Sequence, residues 1–212
     1  VYKMAENGGT YRARNHAIAH LATGEFITVH DDDDWSHPRK IETQVTQLIK
    51  TPELVANMSM LSRATPELVF TRINNNPVFT QPNYSSLMIR RDPVIERLGG
   101  WDLVNRSADA EFHDRLKSVF PGGVAVAGAD VLSFLRVRSG SLTSGEISRG
   151  YIDRRRLWYQ QASREWHGRV AAQPEALHMA GNDQTERPFS APVNMVGSKH
   201  DSGVTEVDVL YV

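Results

Sequence analysis

The sequence contains no cysteine among its 212 residues. This absence excludes disulfides, cysteine-based zinc sites and a cysteine nucleophile, and it suits a reducing cytoplasm. The sequence also lacks any apolar run near the roughly 18 residues that a membrane-spanning helix needs. Its N-terminus has no basic-then-apolar layout of a signal peptide. We therefore expect a cytoplasmic protein, either free or peripheral to the inner face of the cell membrane.

The sequence also lacks a large net charge of either sign. The formal net charge is -1, with 23% charged and 40% hydrophobic residues. This balance is typical of a soluble globular protein, and it gives no reason to expect nucleic acid as a partner. At this length we expect one domain of ordinary size, alone or with an appendage.

Four consecutive aspartates, Asp31 to Asp34, stand out from this ordinary composition. They follow a short β-type apolar run at 26–29, and Trp35 and a helix start at 36–38 come next. Loops at the C-terminal ends of strands commonly line functional crevices. Clustered oxygen ligands without cysteine suit a hard cation such as Mg2+ or Mn2+. The alternative is a solvated acidic turn without function.

Periodicity and turn signals predict alternating helices and strands. We expect helices near 10–22, 38–50, 93–98, 108–119 and 147–169. We expect strands near 25–30, 54–60, 68–72, 84–90, 124–127, 131–137 and 207–212. The buried stripe of the second helix is predicted to be Ile41, Val45, Leu48 and Ile49. This order, with an acidic turn at a strand end, predicts an α/β nucleotide-handling domain.

Three groups of motifs carry a resemblance to a known family. The first group is Asn7-Gly8-Gly9, Ala13-Arg14-Asn15, Ala22-Thr23-Gly24-Glu25-Phe26-Ile27 and Asp31-Asp32-Asp33-Asp34-Trp35 with Pro38. The second group is Gly99-Gly100-Trp101-Asp102 with Ala108-Asp109-Ala110-Glu111. The third group is Leu135-Arg136-Val137-Arg138. Together they resemble the family 2 glycosyltransferases of GT-A fold, over about residues 1–145. There are two departures: Ala108 replaces the family's Glu, and Arg138 replaces its His.

The resemblance implies an α/β fold of GT-A type, with a Rossmann-like mixed sheet and flanking helices. We expect a GT-A domain at 1–145, followed at 146–212 by a helical extension and tail that lead into a further segment. Family members begin with nucleotide-binding strands that do not precede Val1 here. We therefore expect an N-terminally truncated domain that is weak or inactive alone, and a homo-oligomer that covers the bare faces of its sheet.

The resemblance also implies an activity. A sugar would move from a nucleotide-diphospho-sugar donor to a hydroxyl of a glycan or lipid-linked acceptor, with inversion, in cell-envelope polysaccharide synthesis. Asp109 would be the general base, although a carboxylate in a first helical turn is also common without function. Asp33 and Asp31 would hold Mn2+ or Mg2+.

The same resemblance assigns binding residues. Donor contacts would come from Asp31, Asp32, Arg138 and Arg14, and acceptor contacts from Glu111 and Trp101. A surface role for Arg138, a structural role for Arg14 and a packing role for Trp101 stay open. The main alternative is a catalytically inactive GT-A-like binding or scaffolding module, which Ala108 favours. A plain cation-binding module is a further alternative, which is disfavoured because the aspartate run lacks the central Gly and terminal Glu of an EF-hand calcium loop.

Overall fold

The computed structural model describes residues 2–73, 78–137, 147–148 and 151–196. Its α-helices are α1 Thr10–His20, α2 Lys40–Lys50, α3 Arg91–Leu98, α4 Ala108–Val119 and α5 Arg154–Arg169. Its strands are β1 Phe26–Thr28, β2 Trp35–Ser36, β3 Ala56–Ala64, β4 Phe70–Thr71, β5 Thr80–Pro82, β6 Met88–Arg90, β7 Val124–Arg136, β8 Ile147–Ser148 and β9 Tyr151–Ile152. Short 3-10 helices lie at Tyr84–Ser86, Pro174–Leu177, Gly181–Asp183 and Val193–Met195.

The main sheet has the strand order β1-β6-β3-β7-β2, and β4 and β5 add to the far half of β3. Only the β3–β7 pair is parallel among the pairings of this sheet in the described residues, so the sheet is mixed. Because β1 and β2 lie at opposite ends of the order, residues 29–34 cross from one edge of the sheet to the other. The expected mixed α/β sheet with flanking helices, of GT-A type, is confirmed.

Both faces of the sheet are covered by helices. Successive side chains of a strand point to opposite faces. In β6, Ile89 packs into the larger core with α3, α4 and α5, whereas Met88 packs into a smaller core with Leu48 of α2. Buried side chains of the C-terminal region, among them Tyr159 and Met195, belong to the larger core. The C-terminal region therefore packs on the same helices as the N-terminal region. The division at 145 stays a prediction.

The predicted buried stripe of α2 is wrong in part. Leu48 is buried, but Ile41 and Ile49 are exposed, and Lys40 and Gln44 are buried instead. The reason is a polar layer beneath the helix: the Gln44 amide donates to Asn57 Oδ1 at 3.1 Å and to the Ser86 carbonyl at 2.8 Å. A buried polar group is stable when it is hydrogen-bonded. A pattern of apolar residues cannot predict such a polar pair.

The last predicted helix also begins later than expected. Residues 147–148 and 151–152 pair as a two-stranded ribbon, and α5 starts only after Asp153, whose carboxylate accepts from the Arg155 N–H at 2.8 Å. The predicted strand at 207–212 lies outside the described residues. Among helices in the described ranges, not one combines the length and apolar character that crossing a bilayer requires.

Candidate active site

The acidic turn between β1 and β2 is closed by its own backbone. The Asp34 N–H donates to the Asp31 carbonyl at 3.2 Å, and Asp34 Oδ1 accepts from the Arg136 N–H at 3.2 Å. Burial raises the pKa of Asp34 to about 6; the Arg136 hydrogen bond opposes this, and the charges of Asp33 and Asp31 add to it. Asp34 thus fastens the turn to β7, while Asp31 and Asp33 remain half-buried at its surface.

A positive charge lies buried beside this turn. The ammonium of Lys40, in the first turn of α2, donates to Ser36 Oγ at 3.3 Å. Burial lowers the pKa of Lys40, and the charges of Asp31 and Asp34 partly counter that effect. Lys40 therefore offsets part of the repulsion among the carboxylates.

Asp109 lies in the first turn of α4, in sequence far from the acidic turn. Its Oδ1 accepts from Arg14 Nη1 at 2.6 Å, and its Oδ2 accepts from the Tyr11 hydroxyl at 3.0 Å. The side chain is 22% exposed, so solvent can still reach this carboxylate at the start of α4. The positive end of the α4 dipole favours a negative charge at this position.

Arg14 joins the two acidic groups. Its second nitrogen, Nη2, donates to Asp31 Oδ1 at 2.8 Å, so one guanidinium contacts Asp31 on one side and Asp109 on the other. Burial on its own lowers the pKa of Arg14, but Asp109, then Tyr11 and Asp31, outweigh it, so the net pKa is raised. Arg14 therefore stays charged and brings the acidic turn and α4 together.

The neighbouring residue on α1 sets this geometry. Asn15 is buried, and its amide donates to the Trp101 carbonyl at 2.8 Å while its oxygen accepts from the Trp101 N–H at 2.8 Å. A Cβ on Gly100 would lie 2.6 Å from Asn15 Oδ1, so only glycine leaves room for the pair. These bonds fix α1 against the loop that leads into α4, and they direct Arg14 towards Asp109.

This arrangement can be compared with known proteins. Residues 1–111 match the model of the family described as Glycosyl transferase family 2, which is more than half of the 212 residues. The chain belongs to glycosyl transferase family 2. A search of curated proteins found no match. The matched residues include Arg14, the acidic turn and Asp109, and membership of this family supports glycosyltransferase activity in general.

Two residues that the family resemblance assigned to acceptor binding lie in the core. Glu111 is buried with its oxygens on Arg115, at 2.8 Å, and on His167, at 3.0 Å. Burial would raise the pKa of Glu111, but Arg115 and His167 hold it below its usual range. Trp101 is buried and stacks on Phe112 with ring centroids 4.3 Å apart. Neither side chain is open to an acceptor in this structure, and their assignment to acceptor binding stays a prediction.

The remaining assigned residues lie in different settings. Asp32 is exposed at the tip of the acidic turn. Arg138 lies outside the described residues. Trp35 is exposed, and its ring packs on Phe134 with centroids 4.7 Å apart.

Tyr11 was missed by the sequence reasoning. Its spacing of three residues from Arg14 on a predicted helix was the available signal, because such residues share a face. A search for the partners of Asp109 on that face would have identified it.

The oxygen ligands that the acidic turn offers are of the chemical type that a hard cation prefers. Carboxylate oxygens suit Mg2+ and Mn2+, and Asp31 and Asp33 supply them within one turn. Within the described ranges, no three His, Cys, Asp or Glu side chains converge as a metal cage. Mg2+ is commonly held by one or two carboxylates together with substrate phosphates. The residues present therefore fit an ion whose shell a diphosphate completes.

Two hollows of the described surface lie away from this site. One, of ≈ 330 Å³, is bordered by α2 and Gly128, and the other, of ≈ 390 Å³, by residues 3–9 and Ala13. Neither is lined by Asp31 or Asp109, the two carboxylates that the Arg14 guanidinium bridges. A ligand that entered here would have to take over at least one of the Arg14 contacts.

Proposed function

We propose that this domain transfers a sugar from a nucleotide-diphospho-sugar to an acceptor hydroxyl, with inversion at the anomeric carbon. The acceptor is a glycan or a lipid-linked glycan, and cell-envelope polysaccharide is the expected product. Family membership supports the reaction class.

The observation that carries this proposal is the shared guanidinium. Asp31, at the expected donor side, and Asp109, at the expected acceptor side, both bond to Arg14. In an inverting transfer, the acceptor oxygen attacks the anomeric carbon from the side opposite the leaving diphosphate. Because both groups act on the same carbon, the base that deprotonates the acceptor must lie close to the diphosphate. Two carboxylates spanned by a single side chain meet that requirement.

At the donor side, Asp31 and Asp33 are the residues that would hold Mn2+ or Mg2+. Such an ion, when bound, acts as a Lewis acid that stabilises the charge of the leaving diphosphate. Arg14 adds a guanidinium that can fork onto phosphate oxygens, and Arg138 is the second arginine expected from the sequence. These groups together favour the departure of the negatively charged nucleoside diphosphate.

At the acceptor side, Asp109 accepts the proton of the acceptor hydroxyl. The acceptor oxygen bonds to the anomeric carbon as the bond from that carbon to the diphosphate oxygen breaks, and the nucleoside diphosphate leaves with the electron pair. The proton remains on Asp109 until solvent removes it, which the partial exposure of this side chain allows.

Donor binding can be tested by calorimetry. We expect one or more of the UDP-, GDP- and dTDP-sugars to bind in the presence of Mn2+, and Asp33→Ala to lose the metal-dependent part of that binding. The control is Asp130→Ala, which removes an exposed carboxylate at a distance in sequence. Binding that ignores both the metal and Asp33 contradicts the proposed role of the acidic turn.

Turnover is the second test. With the donor and acceptor identified, Asp109→Asn is expected to keep donor affinity and to lose about 100-fold or more in kcat. The control Asp114→Asn alters a carboxylate one turn further along α4 and is expected to retain kcat. Donor binding without transfer or donor hydrolysis in the unmodified protein would support the scaffolding alternative instead.

A further inference from the structure

Tyr11 is a buried residue that contacts the proposed base. Its side chain is 4% exposed and belongs to the larger core, and its hydroxyl donates to Asp109 Oδ2 at 3.0 Å. The family motif carried by α1 begins only after Tyr11, at Ala13, so neither that motif nor the proposed mechanism gives Tyr11 a role.

The two donors to Asp109 differ in what else they contact. Arg14 divides its guanidinium between Asp109 and Asp31, so a diphosphate that enters beside Asp31 competes for it. The Tyr11 hydroxyl has Asp109 as its hydrogen-bond partner in the described structure. The Arg14 guanidinium also lies over the Tyr11 ring, with Cζ 5.3 Å from its centroid. Because the ring is packed in the core, we expect the Tyr11 hydroxyl to keep its position when Arg14 moves.

The Tyr11 hydroxyl also remains protonated, and so a hydrogen-bond donor, at neutral pH. Burial, with the charge of Asp109 added to it, raises the pKa of Tyr11 well above its ordinary value. Asp109 is also bonded to Arg14 from α1 and, across Arg14, faces Asp31 from the acidic turn.

We propose that Tyr11 is a positioning residue: its hydroxyl fixes the carboxylate of Asp109 in the orientation for proton abstraction, and keeps it there when the donor diphosphate recruits Arg14. This role rests on the proposed function, in which Asp109 is the base. Tyr11 itself touches neither substrate in this proposal.

Tyr11→Phe is the test, and the chain offers a matched control. Tyr159 is also a buried tyrosine, and its hydroxyl donates to the carboxylate of Asp102 at 2.8 Å. Tyr159→Phe therefore removes the same atom from the same kind of bond outside the site. The first readout needs no substrate: the carboxyl carbon of Asp109 is followed by NMR through a pH titration and assigned with Asp109→Asn.

We expect the midpoint of the Asp109 titration to rise by about one pH unit in Tyr11→Phe, because a hydrogen bond to the charged form is lost. In Tyr159→Phe the midpoint should stay where it is in the unmodified protein. Equal midpoints in all three proteins would overturn the proposal, and so would an equal rise in both variants.

The second readout is kinetic. We expect kcat to fall about ten-fold in Tyr11→Phe, with an unchanged donor KM, while Tyr159→Phe retains kcat. A higher pKa would by itself make Asp109 a stronger base, so a fall in kcat reports lost orientation. An unchanged or raised kcat contradicts positioning, even if the titration midpoint moves.

Failure of the proposed function gives a different pattern. If Asp109 is not the base, Asp109→Asn retains turnover, whereas the titration still reports whether Tyr11 bonds to it. Should Tyr11→Phe not fold, the ring carbon of Tyr11 is observed in the unmodified protein. That carbon should shift at the midpoint of Asp109, and the step should vanish in Asp109→Asn; its persistence would refute the contact.

Discussion

Two aspartates of this protein are held by the same pair of residue types in different parts of the molecule. Asp109 accepts from a tyrosine hydroxyl and an arginine, Tyr11 and Arg14. Asp102 likewise accepts from Tyr159 at 2.8 Å and from both nitrogens of an arginine fork, at 2.8 and 2.5 Å. The two clusters differ in their exposure and in how the arginine is shared.

Asp102 is 0% exposed, and the whole fork of its arginine, Arg187, is devoted to it. This closed cluster attaches α5 and the chain around Arg187 to the loop before α4. Asp109 is 22% exposed and shares Arg14 with a second carboxylate. The comparison teaches that access and a shared partner, rather than residue type, distinguish a candidate functional group from a structural one.

The largest expected effect comes from a substitution that breaks the closed cluster. Asp102→Asn leaves the Arg187 charge without its partner in the core, and we expect a loss of about 3 kcal/mol in the free energy of unfolding. Asp109→Asn should lose less than about 1 kcal/mol, because its ion pair is partly solvated. Urea unfolding measures both, and equal losses would remove the distinction between the clusters.

A third aspartate sharpens the comparison, because Asp153 precedes a helix and pairs with an arginine without reaching the site. Asp153→Ala should lose about 1 kcal/mol through its lost helix cap, while Asp153→Asn keeps a capping oxygen. Urea unfolding at neutral pH checks this difference.

Asp153 also gives a pH dependence. The Arg155 hydrogen bond, against the opposing effect of burial, lowers the pKa of Asp153 to about 2 from its ordinary 3.8. A depressed pKa means that the charge stabilises the fold fully above pH 3.8, and that this contribution is lost as the pH falls through about 2. The stability difference between the unmodified protein and Asp153→Asn should therefore shrink below pH 4; a difference independent of pH contradicts the assignment.

The smallest expected effect comes from an exposed pair. At the start of α2, the N-cap residue Arg39 donates to Glu42 at 3.1 Å, with Glu42 64% exposed. Glu42→Gln should change the free energy of unfolding by less than about 0.5 kcal/mol, because water screens the pair. A larger change would mean that exposure is a poor guide to these carboxylate–arginine contacts.

Local patterns predicted much of the fold. The limits of α4, 108–119, follow from its own residues, and so does the acidic turn behind β1. The prediction failed where side chains far apart in sequence meet. No local pattern shows that Glu111, two residues after Asp109, bonds to Arg115 and His167 in the core. Gln44 lies beneath α2 because Asn57 offers it a partner.

The sequence alone determined the family, the mixed α/β architecture and the two acidic groups, because these depend on short motifs and on the periodicity of neighbouring residues. Only the tertiary structure decided that Arg14 joins Asp31 to Asp109, and that Tyr11 supports one of them. The physical reason is the pair of hydrogen bonds between Asn15 and the Trp101 backbone. That contact joins residues distant in sequence and sets the face that α1 presents to the site.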